Sequence, residues 1–97
     1  MFYKVKEVKP LDNFILEVLF QNNIKKYYDV SKLFNKWNVF KELKSINGLF
    51  KQVKVDTGGY GIFWNEDIDL SCNELWENGY EKKEIIWKKL LNKLKKK

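Results

Sequence analysis

The stretch Thr57-Gly-Gly-Tyr-Gly-Ile-Phe-Trp-Asn-Glu-Asp-Ile-Asp-Leu-Ser71 decides the fold of this chain. Its first residues, Thr57-Gly58-Gly59, are typical of a hairpin turn, because glycine adopts backbone angles that other residues avoid. The apolar run Ile62-Phe63-Trp64 predicts a returning strand that is buried on both faces. Asn65-Glu66-Asp67 forms the next turn, after which Ile68 and Leu70 return to the core. The stretch therefore predicts antiparallel strands joined by tight turns.

Upstream of this stretch, alternating apolar residues predict a three-stranded meander. Residues 3–8 form the first strand, and Pro10 closes it because proline cannot donate to a central ladder. The second strand, residues 14–20, is stronger, and residues 24–28 return as the third after a polar turn at residues 21–23. By the two-residue period of a strand, one face of the second strand points inward. That face consists of Phe14, Leu16, Val18 and Phe20.

The middle of the chain is predicted to be helical. Asp29 and Ser31 are suitable N-caps. Residues 32–44 place Leu33, Phe34, Trp37, Phe40 and Leu43 near a three-to-four spacing, and the asparagines in this segment can divide it into two short helices. Residues 49–56 alternate again and predict the strand that enters the hairpin, with its valines inward.

The C-terminal third is predicted to hold two helices. Ser71-Cys72-Asn73-Glu74 is a capping box, in which serine and glutamate side chains satisfy each other's backbone amides. The short helix that follows ends at Gly79, a natural residue for the position after a helix. Residues 81–97 form a last amphipathic helix with lysines at its end. We therefore predict one α+β domain at residues 1–80, with an antiparallel sheet of five or six strands packed against short helices, and a basic helix at residues 81–97.

The composition excludes several functions. The chain has 97 residues and no histidine, and all 19 of its basic residues are lysine. The usual general base at neutral pH is therefore missing, and so is the arginine fork that reads guanine. One cysteine, Cys72, can form neither an internal disulfide nor a Cys/His zinc site. No apolar run reaches about eighteen residues, and the N-terminus lacks a signal peptide. We expect a cytoplasmic protein that is not an enzyme and has no cofactor or metal.

The net charge of +6 resides in the C-terminal tail. Residues 1–80 carry eleven lysines and eleven acidic residues, whereas residues 81–97 carry eight lysines and two glutamates. Three interpretations are open: a solvated helix docked on the sheet, a surface for phosphates, lipid headgroups or an acidic partner, and a seam between two copies of the chain. The candidate interaction surface is Lys82, Lys83, Trp87, Lys88, Lys89, Lys93, Lys95, Lys96 and Lys97.

Two further motifs have a chemical interpretation beside a structural one. Asp67 and Asp69 share one side of a strand, so they can bind a cation or form an acid–base pair. The structural interpretation, a turn that leads into the Ser71 cap, is favoured. The glycines of residues 58–61 resemble a phosphate loop, but such a loop opens a helix and this one joins strands, so a hairpin is predicted.

The aromatic residues and the cysteine admit the same two kinds of interpretation. Trp64, Trp76 and Tyr60 can form a stacking platform for nucleic-acid bases. Their apolar neighbours favour a place in the core instead. Cys72 begins a helix, where a thiolate is stabilised. It has no histidine partner, so a packing or surface role is predicted.

The order of these motifs resembles the bacterial family catalogued as domain of unknown function 2442, over about residues 3–79. The resemblance implies a small α+β domain whose gene often lies beside another small gene, and for which an antitoxin role has been proposed. Some members carry a helix-turn-helix after the domain, whereas residues 81–97 are long enough for one helix only. The family brings no catalytic residues to this chain. The matching pieces are Val8-Lys-Pro-Leu11, Leu16-Glu-Val-Leu-Phe20, Tyr28-Asp-Val-Ser31, Leu49-Phe50, Gly61-Ile-Phe-Trp64, Asp69-Leu-Ser71 and Glu74-Leu-Trp76.

Two functional hypotheses follow. The first is a non-enzymatic interaction domain, antitoxin-like, that binds a small partner protein encoded by a neighbouring gene. The alternative is a regulator that associates with nucleic acid through the lysines of residues 81–97.

Overall fold

The computed structural model describes residues 2–81, which form two antiparallel three-stranded sheets joined by short helices and turns. The predicted α+β class is confirmed. The six strands are divided between two sheets, however, where the sequence analysis expected one. The elements are β1 (Val5–Pro10), β2 (Ile15–Phe20), β3 (Lys25–Asp29), α1 (Glu42–Ser45), β4 (Lys54–Val55), β5 (Gly61–Asn65), β6 (Ile68–Ser71) and α2 (Cys72–Asn78).

The first sheet is the predicted meander, in the order β1-β2-β3. Leu16, Val18 and Phe20 share its buried face, as the two-residue period predicted. Phe14, the fourth residue assigned to that face, lies before β2 in a 3-10 turn and has a left-handed φ of 60°. Asn23 also has a left-handed φ, of 68°, which confirms the tight turn between β2 and β3.

The second sheet has the order β4-β5-β6 and contains the predicted hairpin. The strand predicted at residues 49–56 is reduced to the two residues of β4, because Phe50–Gln52 forms a 3-10 turn. That turn buries the Phe50 ring and directs its carbonyl oxygen to the indole N–H of Trp64, 3.0 Å away. A long-range contact thus overrides the local strand preference.

The middle of the chain is helical only in short pieces. Residues 30–33 and 38–41 are 3-10 turns, and only α1 is α-helical. Trp37 interrupts them with an extended φ of −135° and leaves 48% of its surface exposed. Of the five residues at the predicted three-to-four spacing, Trp37 is exposed and the other four are buried. Asp29 caps the first turn by accepting from the Ser31 N–H at 3.0 Å, as predicted.

One continuous core holds the two sheets together. Side chains from both sheets, the middle turns and α2 belong to the same buried cluster, and α2 packs against β3, β5 and β6. The indole of Trp64 lies inside that cluster, edge-on to the ring of Phe40 and nearly parallel to that of Phe50. In residues 2–81, no helix combines the length and apolar character needed to cross a membrane.

Candidate interaction site

A polar cleft of about 390 Å³ lies between α2 and the segment formed by β3 and its following turn. Lys32 and Lys36 contribute positive charge from the turn side. Glu74 and Glu77 contribute negative charge from α2. The two glutamates are three positions apart in α2, so they lie on one side of that helix. The cleft therefore presents both signs of charge at close range.

One wall of the cleft is held by a hydrogen bond between β3 and α2. The Tyr28 hydroxyl donates to Oε2 of Glu74 at 2.7 Å, and Nδ2 of Asn78 donates to the same oxygen at 3.0 Å. Burial of the ring, and next the hydrogen bond to Glu74, raise the pKa of Tyr28 well above its usual range. The phenol therefore stays protonated at neutral pH and acts as a donor, not as a base.

The same glutamate completes only half of the predicted capping box. The Ser71 Oγ accepts from the Glu74 N–H at 3.1 Å, so the serine cap is confirmed. The glutamate side chain turns to Tyr28 and Asn78 and does not return to the backbone of Ser71. The buried phenol competes for this carboxylate because an unpaired hydroxyl in the core would cost more than an exposed backbone amide.

Tyr80, which also lines the cleft, extends the first sheet by an isolated strand pairing. The backbone groups of Tyr80 and Tyr27 exchange two hydrogen bonds of 2.7 Å, so the segment that follows α2 pairs with the edge of β3. The ammonium of Lys32 donates to the Tyr80 hydroxyl and lies 4.3 Å from the centre of its ring. Lys26, which precedes Tyr27 in β3, donates a hydrogen bond to the carbonyl oxygen of Trp76 at 2.6 Å.

Gly79 ends α2 as predicted, but for a different reason. Its φ of −81° is open to any residue, so no left-handed cap is formed. A Cβ at this position would lie 2.4 Å from the carbonyl oxygen of Leu75 and 3.2 Å from Cβ of Lys26. Glycine is needed mainly because the chain leaving α2 passes too close to the backbone of the helix's last turn for a side chain, and Lys26 of β3 narrows the space further.

The acidic pair proposed from the sequence does not form a site. Asp67 and Asp69 are both exposed, and Asp69 pairs with Phe63 across the hairpin. The turn is built by Asn65, whose Oδ1 accepts from the N–H groups of Asp67 and Ile68 at 2.9 and 3.0 Å. Across residues 2–81, no three acidic or cysteine side chains are grouped closely enough to hold a metal.

The remaining candidates have the structural roles that were favoured for them, except Tyr60, for which the predicted place in the core is wrong. Residues 58–61 form the hairpin. Trp64 is buried, and Trp76 is stacked on Tyr3 with ring centres 3.9 Å apart. Tyr60, in contrast, leaves 51% of its surface exposed, so the three aromatic residues form no common platform. Cys72 is a free, buried thiol, which confirms its packing role.

The candidate interaction surface of the tail lies outside the described residues. This applies to the predicted helix at residues 81–97 beyond Glu81, and to all nine residues named for that surface. The division into a domain at residues 1–80 and a separate helix stays a prediction, and so does the role of the lysines.

The sequence analysis did not identify the cleft. Tyr28 was assigned only to a strand and Glu74 only to a helix cap, although they meet across 46 positions of the chain. The available signal was the spacing of the lysines at 32 and 36 and of the glutamates at 74 and 77. That spacing indicates two charged faces, but only the tertiary fold shows that they oppose each other.

Comparison with known proteins yields one match. The family model described as Protein of unknown function (DUF2442) matches residues 5–81, which include every strand and both helices described above. No curated protein and no solved structure matches this chain.

Proposed function

We propose that this chain, which belongs to the DUF2442 family of proteins of unknown function, is a non-enzymatic interaction domain that binds a small partner protein. An antitoxin-like role toward a product of the neighbouring gene is the specific form of this proposal. The gene neighbourhood that the family resemblance implies supports it.

The observation that carries the proposal is the state of the polar groups in the cleft. Tyr28, Glu74 and Asn78 are hydrogen-bonded to each other, and Lys32 is bonded to Tyr80. A catalytic site needs a base or nucleophile with an altered pKa that faces the substrate. Here the altered pKa belongs to a phenol locked as a donor within the fold. Such an arrangement gives these groups a structural role and argues against chemistry in the cleft, which supports a non-enzymatic domain.

The test is co-purification. The tagged full-length chain is co-expressed with the product of the adjacent gene, and the eluate is examined by size-exclusion chromatography with light scattering. We expect one complex of defined stoichiometry that persists at micromolar concentration. The control is the same chain co-expressed with an unrelated small protein of similar charge. Elution of the two proteins as separate species would contradict the proposal.

The antitoxin-like form has its own readout. Expression of the neighbouring gene alone should arrest growth, and co-expression of this chain should restore it. A neighbour that leaves growth unchanged when expressed alone would contradict the antitoxin-like role, while a stable complex would still support the interaction domain.

The charge of the tail favours a second candidate, a nucleic-acid-associated regulator. Eight lysines lie in residues 81–97, against two glutamates. If they contact phosphates, log K for a DNA duplex should fall with log salt at a slope of about −0.9 per contact. Deletion of residues 82–97 should abolish that binding. Duplex binding that is unchanged by the deletion would contradict this candidate.

A further inference from the structure

The neutral body of the protein is strongly divided in charge. Residues 30–54 contain six lysines and one glutamate, whereas residues 55–80 contain six acidic residues and no lysine. Segments of one sign create a local potential even when the whole domain is neutral. Lys32 and Lys36 of the middle segment line the cleft with the glutamates of α2, so the positive charge that remains without acidic neighbours of that kind is at Lys41, Lys44, Lys51 and Lys54.

This positive segment borders a second depression, which we call the hollow. It has a volume of about 290 Å³ and lies between the turn at residues 11–14 and the segment at residues 43–51. Leu43 and Phe50 form buried parts of its lining, and Ile46 leaves 48% of its surface exposed at the rim. The hollow is large enough for one or two apolar side chains, and its exposed isoleucine favours an apolar guest.

The backbone beside the hollow is strained. Asn13 and Phe14 are consecutive left-handed residues, with φ of 61° and 60°. A left-handed phenylalanine is a rare outlier, and it persists only where packing holds it. Here the Phe14 ring is held edge-on by Phe34 and Phe50, each with a centroid 5.2 Å away. Strain of this kind is concentrated at binding sites, because a preformed site lowers the cost of ordering on association.

The cations of the rim are available for a ligand. Lys44 and Lys51 line the hollow and are exposed, and neither forms an ion pair with any of residues 2–81. Asp12 is the one acidic residue of the lining. A depression of mixed lining with an exposed isoleucine and two cations at its rim is complementary to an apolar side chain flanked by carboxylates.

We propose that the hollow is the docking site for an acidic segment of the partner protein, which inserts an apolar side chain over Leu43 and Phe50 and pairs its carboxylates with Lys44 and Lys51. This inference rests on the proposed function, since it names the chemistry of the partner. Ile46 packs against the inserted side chain at the rim.

The lining favours a peptide over a nucleic acid. Base stacking needs an exposed aromatic face. The ring of Phe50 is buried, and the ring of Phe14 is already held by two neighbouring rings. The exposed group is the aliphatic side chain of Ile46, which offers no stacking surface. Apolar insertion is thus the contact that the hollow provides.

The first experiment locates the binding site. The isotope-labelled full-length chain is titrated with the peptide acetyl-Glu-Asp-Leu-Leu-Asp-Glu-amide and followed by amide chemical shifts. We expect the largest shifts at residues 11–14 and 43–51. The same peptide with both leucines replaced by serine should shift these amides much less. Shifts confined to the tail, equal effects of the two peptides, or stronger binding of an oligothymidine at the hollow would overturn the proposal.

The second experiment uses matched charge reversals. The variant K44E/K51E should bind the leucine peptide at least about tenfold more weakly than the wild type. The control K6E/K9E has the same net charge and reverses two exposed lysines of β1, so it should change affinity less than about threefold. Ile46→Ser tests the apolar contact without a charge change and should also weaken binding. Equal losses in the two double variants would show a nonspecific charge effect and overturn the proposal.

The same variants separate this inference from the proposed function. If the neighbouring gene product binds the wild type and K6E/K9E but not K44E/K51E, both are supported. If it binds all three equally, the hollow is not the docking site although the interaction domain stands. If it binds none, the proposed function fails, and the peptide titration alone decides the hollow. Self-association of the wild type that K44E/K51E abolishes would identify a second copy as the occupant and overturn the proposal.

Discussion

The cleft and the hollow are depressions of similar size whose charged groups have opposite uses. In the cleft, Glu74 of α2 is hydrogen-bonded to Tyr28 of β3. Lys32, in the turn after β3, is bonded to Tyr80, which follows α2. In the hollow, Lys44 and Lys51 make no ion pair within residues 2–81. Groups that satisfy each other stabilise the fold, whereas unpaired groups remain available to a partner. A charged side chain in a depression is therefore evidence for a binding site only when it is not already bonded to another group of the protein.

The largest expected effect comes from the glycine of each depression. Gly79→Ala should destabilise the protein by about 2–4 kcal/mol, because its Cβ would collide with the backbone of Leu75. Gly48→Ala, beside the hollow, meets no atom within 4 Å and should cost only about 1–2 kcal/mol for its left-handed φ of 82°. Urea unfolding measures both. Equal losses of unfolding free energy in the two variants would contradict the closer packing around Gly79.

The next effect concerns the hydrogen bond across the cleft. Tyr28→Phe should cost about 1–2 kcal/mol, since it removes a donor from the Glu74 carboxylate. Tyr27→Phe alters the adjacent residue of β3, whose hydroxyl makes no hydrogen bond within residues 2–81, and should change stability by less than about 0.5 kcal/mol. Thermal unfolding of both variants tests this. If Tyr28→Phe leaves the stability unchanged, this hydrogen bond does not hold the cleft together.

The same tyrosine predicts a pH dependence. Because the folded-state pKa of Tyr28 is raised, the native state holds its proton more tightly than the unfolded state does. The protonated Tyr28 therefore contributes to the free energy of unfolding in full below the unfolded-state pKa of about 10. Above that pH the contribution is lost, by up to about 1.4 kcal/mol per pH unit.

The measurement compares the wild type with Tyr28→Phe from neutral to alkaline pH. Hydrogen bonding to Glu17 also raises the pKa of Lys25, but this pair is present in both proteins and cancels in their difference. The stability difference should shrink above about pH 10. A difference that is constant with pH would contradict the assignment.

The smallest expected effect distinguishes the lysines of the two depressions. Lys32→Gln loses a cation over the Tyr80 ring and should cost about 0.5–1 kcal/mol. Lys44→Gln loses no partner within residues 2–81 and should stay within about 0.5 kcal/mol of the wild type. A larger loss for Lys44→Gln would mean that the hollow's cations stabilise the fold.

The sequence predicted the second sheet better than the middle of the chain. The glycine hairpin, the inward residues Ile68 and Leu70 and the Ser71 cap are all present, because each depends on neighbours within a few residues. The helical segment predicted over residues 32–44 is divided at Trp37, between the asparagines expected to break it, but most of its pieces are 3-10 turns and not α-helices. An apolar spacing shows which residues prefer burial, but it does not show which one the completed core leaves outside.

The candidate site was less accessible to sequence reasoning than the fold. The cleft depends on the Tyr28–Glu74 hydrogen bond across 46 positions, and the hollow on the approach of residues 11–14 to residues 43–51. Charge counts drew attention to the tail, where the excess lies. They could not show that Glu74 and Lys32 would be bonded to tyrosines, whereas Lys44 and Lys51 would form no ion pair with any of residues 2–81.

The sequence by itself determined the α+β class, the turns, the caps and the missing chemistry of histidine and arginine. These properties follow from residue type and from two-residue or three-to-four periodicity, which are local. The tertiary structure alone decided that six strands form two sheets, that Gly79 serves a close approach instead of a left-handed turn, and that Glu74 serves Tyr28 instead of its own helix cap. The physical reason is competition: a backbone or side-chain group has several possible partners, and burial selects the one whose loss would cost the most.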